Sequence, residues 1–248
     1  MGYLKAVIFG LVQGLTEFLP VSSSGHLILL ERLSFAPPSV FLNLALHLAT
    51  LVAVLVVMRR EVWAVIRHPL AGDLKYVCLA SLPTALIALA MQTYCPALVE
   101  GAMLPFCFLV TSMLLCLAET FSKGFSREIR AGNALLVGVV QGVAVLPGIS
   151  RSGATISVLR MCGVDGARAT GFSFLLSVPV IAGGFLVEGM KSGFAVQGVS
   201  TGEILVASAV AFCSGLIAAR YMLRAGKKKM IPFAVYTFVL GCVSFFLL

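Results

Sequence analysis

Two stretches of this chain, 128 residues apart, carry nearly the same pattern. Residues 10–26 read GLVQGLTEFLPVSSSGH and residues 138–153 read GVVQGVAVLPGISRSG. Each is an apolar segment broken midway by Gly, Pro and Ser. Irregular backbone at membrane depth is tolerated only where it is buried in protein or lines a wet cavity. We therefore predict two re-entrant helix–loop–helix hairpins, over 1–30 and 133–160, whose tips hold the motifs.

The composition is that of a membrane protein. Hydrophobic residues make up 60% of the chain and charged residues 11%, which excludes an ordinary soluble domain. The +8 net charge indicates cytoplasmic anchoring rather than nucleic-acid binding. We predict an all-α polytopic membrane protein in which six transmembrane helices accompany the two hairpins. The predicted spans are 41–58, 77–92, 103–119, 169–187, 204–220 and 231–248.

The repeat extends beyond the two motifs. Residues 103–106 read MLPF, and residues 230–233 read MIPF. The recurring unit is therefore one hairpin followed by three spans. Because three is odd, the second copy must lie upside down in the membrane relative to the first. The chain is then a single membrane domain, 1–248, with repeat one at 1–120, repeat two at 130–248 and a linker at 120–132.

The charges of the loops test this inverted topology. Loop 59–75 has four Lys or Arg residues, and its counterpart 187–203 has one. Loop 92–102 has none, and its counterpart 220–229 has five. Positive residues favour the cytoplasmic side, so equivalent loops lie on opposite sides, as an inverted repeat requires. The basic linker 120–132 is then cytoplasmic, both termini are periplasmic, and the two hairpin tips can meet.

The notable ionisable residues in the two hairpins are Glu17, His26 and Arg151. A charge at the bilayer centre costs roughly 2.5–3.5 kcal/mol, and such residues usually pair or line a wet cavity. A purely structural Glu–Arg pair is the alternative. Against it stand the neighbouring hydroxyls and glycines, which an ion pair does not need.

The two tips have the composition of an anion site. Helices that start after the turns would point their positive dipole ends at a ligand. The planar guanidinium of Arg151 suits two phosphate oxygens. Simple helix capping is the alternative for two or three of the serines, and helix back-bonding is the alternative for Thr155 and Ser173. The predicted substrate-binding residues are Ser22, Ser24, Gly25, Gly148, Ser150, Arg151, Ser152, Gly153 and Thr155.

Glu17, His26 and a serine add the capacity for proton transfer and nucleophilic attack. Glu17 could also hold a divalent cation with Gln13, which lies one helical turn earlier on the same face. That pair is a thin cation site unless substrate phosphates complete it. His47 lies inside a predicted span, where a packed, hydrogen-bonded role is favoured and a role in the site is the alternative.

Residues 17–26 (EFLPVSSSGH) and 147–155 (PGISRSGAT) closely resemble the two signature regions of the undecaprenyl-diphosphate phosphatase family (UppP/BacA). The resemblance includes 172–179 and 231–236 and runs over essentially the whole chain. It implies a bacterial inner-membrane enzyme that removes the terminal phosphate of undecaprenyl diphosphate. The monophosphate product carries peptidoglycan precursors. The resemblance also implies resistance to bacitracin, because that antibiotic sequesters the diphosphate. The family fold, six spans plus two re-entrant helix pairs in inverted repeat, is similar to the one predicted above.

The resemblance also implies roles for particular residues. Gln13 and Glu17 match an E/Q-xxx-E element, and the glutamine here puts more weight on Glu17. Ser23 matches the serine proposed as nucleophile, His26 matches the family's histidine, and Arg151 matches the diphosphate-binding arginine. The catalytic residues are therefore expected to be Glu17, Ser23, His26 and Arg151. The resemblance further implies a divalent cation, Mg²⁺ or Ca²⁺.

The resulting hypothesis is hydrolysis of a polyprenyl diphosphate lipid, with Ser23 attacking and His26 or Glu17 relaying its proton. Direct attack by water is the alternative chemistry. A lipid-phosphate flippase using the same anion site is the alternative function, because many transporters are built from inverted repeats with broken helices. The face to which the site opens, the metal, the lipid chain length and the oligomeric state, a homodimer included, stay open.

Overall fold

The computed structural model describes residues 2–33, 39–67, 72–122, 126, 128–193, 198–226 and 229–247. Over these residues the fold is entirely helical, apart from one isolated bridge between Ser126 and Val164. The helices are α1 Tyr3–Phe18, α2 Ser23–Arg32, α3 Val40–Val57, α4 Arg59–Arg67, α5 Leu74–Tyr94, α6 Pro96–Val99, α7 Leu104–Phe121, α8 Ala131–Val143, α9 Arg151–Met161, α10 Gly166–Ser192, α11 Thr201–Ala225 and α12 Ile231–Leu247.

Five of the described helices are long and apolar enough to cross a membrane: α3, α5, α7, α10 and α11. These helices agree with the predicted all-α, multi-pass membrane class. The sixth predicted span, 231–248, forms the apolar helix α12, which has 17 described residues.

Several helices differ from the predicted segments at their ends. Helix α10 begins three residues before the predicted span 169–187 and continues five residues beyond it. Charged residues such as Arg168 and Glu188 lie in these extensions. Long charged side chains can continue a helix while their head groups reach the membrane surface. The loop predicted at 59–75 contains helix α4, and the loop at 92–102 contains the short helix α6.

The first hairpin helix of each half packs on a long helix of the other half. Helix α1 lies along α11, and α8 lies along α5. A Cβ atom added at Gly10 would lie 2.4 Å from the carbonyl oxygen of Ala207, and one added at Gly138 would lie 2.2 Å from that of Ala80. Such small residues let helix backbones approach closely, which is how helices associate in a membrane.

Helices α7 and α12, one from each half, also pack against each other. Both begin at the repeated MLPF and MIPF segments, where a proline in the first turn suits a helix start. The Ser112 hydroxyl on α7 donates a 2.8 Å hydrogen bond to the carbonyl oxygen of Ala234 on α12. This pairing brings the C-terminal helix next to the hairpin tips.

Part of the linker is fixed to the turn between α9 and α10. The backbone of Ser126 donates to the carbonyl of Gly163 and accepts from the N–H of Asp165. At the same end of the bundle, Glu119 forms an ion pair with Arg160 and accepts a hydrogen bond from the backbone N–H of Met230, both at 2.8 Å. Residues 123–125, 127, 227 and 228, which carry several of the predicted topology charges, lie outside the described residues.

Candidate active site

Each hairpin tip is closed by a serine at the equivalent position. Ser22 precedes α2, and its hydroxyl accepts the backbone N–H of Gly25 at 3.4 Å. Ser150 precedes α9, and its hydroxyl accepts the N–H of Gly153 at 3.0 Å. The capping alternative therefore applies to these two serines. Ser22 has a φ of 70°, a strained conformation for a residue other than glycine.

The two tips contact each other directly. The backbone N–H of Gly148 donates to the hydroxyl of Ser22 at 3.0 Å, and the hydroxyl of Ser152 donates to the carbonyl of Leu19 at 3.2 Å. A Cβ atom added at Gly25 would lie 3.0 Å from the Cα atom of Gly148. The tips therefore meet so closely that a side chain at residue 25 would force neighbouring atoms to shift.

Helix α7 holds the second tip in place through hydrogen bonds from Thr111. The hydroxyl of Thr111 donates to the carbonyl of Gly148 at 2.8 Å and accepts from the backbone N–H of Ser150 at 2.9 Å. Gly148 itself has a φ of 96°, which favours glycine. Thr111 was not among the predicted site residues, and a lone threonine in an apolar span gives little sequence signal.

Glu17 and Arg151 form an ion pair across the two tips. Nη2 of Arg151 lies 3.2 Å from Oε1 of Glu17. The other oxygen, Oε2, accepts the hydroxyl of Ser23 at 2.6 Å and Nε2 of Gln13 at 3.0 Å. The Glu17 side chain is only 4% exposed, whereas that of Arg151 is 24% exposed. The carboxylate is thus buried and bonded through both oxygens, whereas the Arg151 side chain is partly exposed.

His47 lies beside the same carboxylate. Its Nε2 is 3.8 Å from Oε2 of Glu17, and its Nδ1 is 2.8 Å from the carbonyl oxygen of Asn43. A packed role was favoured for His47 from the sequence, but the structure brings its ring to the site. The signal that could have found it is the spacing of Asn43, His47 and Thr50, which puts three polar residues on one face of α3.

His26 points away from this cluster. Its Nδ1 lies 2.7 Å from the carbonyl oxygen of Ser22, and its Nε2 lies 2.7 Å from the hydroxyl of Tyr236. Its ring is stacked on that of Tyr236 with the planes 5° apart. Both ring nitrogens are therefore engaged away from Ser23 and Glu17. Tyr236 was not predicted as a site residue, although it closes the resembling segment 231–236.

Hydroxyl groups surround the ion pair on both sides. One small cavity is lined by Ser22, Ser23, Ser24 and Ser150, and a second by Ser152, Ser173 and Ser177; Glu17 and Arg151 line both. The hydroxyls of Thr155 and Ser173 lie 2.6 Å apart, and Thr155 also donates to the carbonyl of Arg151. Thr155 therefore both back-bonds to its helix and joins α9 to α10.

Two buried polar atoms of the site have no hydrogen-bond partner among the described residues: Oε1 of Gln13 and Nη1 of Arg151. A buried acceptor and a buried donor left in this way are suited to a cation and to an anion, respectively. The described residues contain no cluster of three or more His, Cys, Asp or Glu side chains able to hold a metal ion. A cation here would therefore need Gln13 or the substrate as a further ligand.

A buried hydroxyl–carboxylate pair, a guanidinium and two helix starts converge inside a bundle of membrane-length helices. This arrangement is that of a multi-pass membrane protein with an internal site suited to a phosphate-bearing ligand. Residues 6–243 match the family described as bacitracin resistance protein BacA, and the chain belongs to that family.

Relatives named undecaprenyl-diphosphatase align with nearly the whole chain. That of Carboxydothermus hydrogenoformans is 39% identical, over 97% of this chain and 95% of its own length. That of Christiangramia forsetii is 36% identical, over 98% and 97%. That of Korarchaeum cryptofilum is 34% identical, over 97% of each. The coverage confirms the resemblance that the two tip motifs indicate.

Proposed function

We propose that this protein is an undecaprenyl-diphosphatase, which hydrolyses undecaprenyl diphosphate to undecaprenyl phosphate and inorganic phosphate. The family and the names of the relatives support this activity. The observation that carries it is the 2.6 Å hydrogen bond from Ser23 to Glu17, next to Arg151. A hydroxyl paired with a buried carboxylate supplies a nucleophile and a base for phosphoryl transfer, and binding alone does not need such a pair.

The diphosphate would bind where the two tips meet. Arg151 has a free, buried Nη1 in addition to the Nη2 that pairs with Glu17, so the guanidinium can take a phosphate oxygen without releasing the carboxylate. The starts of α2 and α9 add their positive dipole ends. The hydroxyls that line the two cavities complete the predicted substrate-binding set. These groups stabilise the charge on the transferring phosphoryl group.

In the proposed chemistry Ser23 Oγ attacks the terminal phosphorus while Glu17 accepts its proton. The phosphorus–oxygen bond of the anhydride breaks, and undecaprenyl phosphate leaves with the proton that Glu17 had accepted. Water then attacks the phosphoserine while Glu17 takes its proton. The bond from phosphorus to Ser23 Oγ breaks, inorganic phosphate leaves, and Glu17 returns the proton to Oγ. In the alternative chemistry Glu17 activates a water molecule that attacks directly. Glu17 is favoured over His26 as the proton acceptor because His26 is bonded to Ser22 and Tyr236.

A divalent cation, Mg²⁺ or Ca²⁺, belongs to this proposal. Glu17 and the free Oε1 of Gln13 would hold it, and substrate phosphates would supply further oxygen ligands. When bound, the cation neutralises charge on the diphosphate. The fit rests on Gln13, whose fully buried side chain leaves an oxygen without a partner in the described part of the chain.

The proposed setting is the bacterial inner membrane, with two re-entrant hairpins in an inverted repeat and both termini in the periplasm. The reciprocal packing of α1 on α11 and of α8 on α5 supports the repeat, as do the loop charges. The polyprenyl tail would lie between the spans. Its phosphates would reach the internal site from the plane of the membrane.

The test is phosphate release by the purified protein in detergent with undecaprenyl diphosphate, set beside movement of the labelled lipid across liposomes. A phosphatase releases inorganic phosphate even in detergent, where no membrane separates two compartments. Movement of lipid without phosphate release would instead support a flippase and overturn the proposal.

A further inference from the structure

We propose that His47 is a third protein ligand, with Glu17 and Gln13, of the divalent cation. This inference deepens the proposed function, because it concerns the cation of that same site. The cation site formed by Glu17 and Gln13 has only oxygen ligands from the protein, and His47 would add a nitrogen ligand.

The hydrogen bond of His47 to its own helix fixes which nitrogen is free. Nδ1 lies 2.8 Å from the carbonyl oxygen of Asn43, and a carbonyl oxygen can only accept. Nδ1 therefore carries the hydrogen, and in the neutral ring Nε2 has an open lone pair. A histidine that donates one ring N–H to a carbonyl and offers the other nitrogen is the arrangement found in metal sites.

That open nitrogen faces a carboxylate at the distance of two ligands sharing one ion. Nε2 of His47 is 3.8 Å from Oε2 of Glu17, beyond hydrogen-bond range. Two ligand atoms that each lie about 2.1 Å from a cation are at most about 4.2 Å apart. In the neutral ring the Nε2 lone pair and the carboxylate oxygen repel each other, and a cation bound by both atoms converts the repulsion to attraction.

Gln13 gives independent support. Its side chain is fully buried, its Nε2 donates to the same Oε2 of Glu17, and its Oε1 has no partner among the described residues. Gln13 and Glu17 lie one turn apart on α1, and α1 packs against α3, which carries His47. Amide, carboxylate and imidazole groups therefore converge from two packed helices.

The donor set indicates which cation this site prefers. Oxygen ligands alone suit Mg²⁺ and Ca²⁺, whereas an imidazole nitrogen favours transition metals and zinc. Arg151 also contacts Glu17, so its positive charge opposes a bound cation until an anionic substrate is present. We therefore expect Mn²⁺, which accepts both oxygen and nitrogen ligands, to bind more tightly than Mg²⁺, and to bind more tightly still with a diphosphate present.

The experiment uses Mn²⁺ as the probe and pulsed electron paramagnetic resonance as the readout, with the purified protein in detergent. Coupling of the Mn²⁺ electron spin to a ¹⁴N nucleus reports a histidine ligand directly and does not depend on turnover. The wild type is expected to show the coupling. His47→Leu is expected to abolish it and to weaken Mn²⁺ binding roughly tenfold or more, because even the loss of outer partners of metal ligands costs 10–100-fold.

Two further variants make the result decisive. His47→Gln retains a polar side chain of similar reach, and it should also lose the ¹⁴N coupling. His26→Gln removes the other histidine near the tips and should keep it. A wild type without ¹⁴N coupling, or coupling that persists in both His47 variants, would overturn the proposal. Phosphate release by the same wild-type preparation tests the enzyme function separately. The ¹⁴N coupling would still be observed if the protein bound the cation through His47 but released no phosphate.

Discussion

Oγ of Ser23 lies 2.6 Å from Oε2 of Glu17, although the two residues belong to different helices separated by a turn. The carboxylate is 4% exposed and is held on its other oxygen by Arg151 from the opposite tip. The hydroxyl is therefore paired with a base whose position depends on both hairpins. This relationship underlies the proposed chemistry and the predictions below.

Ser23→Ala is expected to reduce phosphate release by at least about 1,000-fold, because it removes the proposed acceptor of the phosphoryl group. The rate of phosphate release from undecaprenyl diphosphate is the measurement. Ser81→Ala is the matched control, since in the described part of the chain the Ser81 hydroxyl bonds to its own helix, at the carbonyl of Val77. A loss of only a few fold in Ser23→Ala would favour direct attack by water.

Tyr236→Phe is expected to lower turnover about tenfold, the equivalent of one lost hydrogen bond. Nδ1 of His26 donates to a carbonyl, so Nε2 must accept the Tyr236 hydroxyl. His26 would then act by holding the first tip in place. Tyr221→Phe, at a half-exposed tyrosine on α11, is the control. Full activity in Tyr236→Phe together with an inactive His26→Ala would show that His26 acts on the substrate itself.

Two substitutions of Ser22 separate strain from hydrogen bonding. Both Ser22→Ala and Ser22→Gly remove the oxygen that accepts from Gly148 and Gly25. Only glycine relieves the φ of 70°, a conformation that costs of order 1–3 kcal/mol in other residues. Thermal unfolding in detergent should therefore rank the wild type first, Ser22→Gly second and Ser22→Ala last. If the alanine variant is the more stable of the two, the claim that the backbone is strained at Ser22 is wrong.

Gly14→Ala is expected to destabilise the protein by about 1–3 kcal/mol, the usual cost of overpacking. Its Cβ would lie 2.4 Å from the carbonyl oxygen of Ala211 on α11. Gly132→Ala is the control, because a Cβ at that position meets no atom within 4 Å. Thermal unfolding of both variants is the measurement, and equal melting temperatures would contradict the close packing of α1 on α11.

Much of the fold could be predicted from the sequence because the repeat and the hydropathy are local signals. The paired segments 103–106 and 230–233 mark the starts of α7 and α12. The helix ends were less predictable, since charged residues such as Arg168 and Glu188 continue α10 beyond its apolar part. Helix α4 was missed because its apolar stretch, 62–66, is too short for a span and is flanked by arginines.

The site residues that lie in the two repeated motifs could be predicted from the sequence. Those that reach the tips from distant helices could not. Glu17 and Arg151 stand out because charge is expensive in an apolar hairpin. His47, Tyr236 and Thr111 come to the tips from α3, α12 and α7, and their contacts depend on packing that no local pattern records. The direction of the His26 ring likewise depends on Tyr236, which lies 210 positions later in the chain.

The central claim is that the two tips form one site, in which Glu17 and Arg151 act together on a lipid diphosphate. The most direct measurement is the rate of phosphate release from undecaprenyl diphosphate by the wild type, Glu17→Ala and Arg151→Ala, with folding checked by thermal unfolding. The wild type should release phosphate, and each folded variant should lose at least about 1,000-fold, the contribution of a charge-stabilising arginine in phosphoryl transfer. Normal turnover in either folded variant, or no phosphate release by the wild type, would contradict the account.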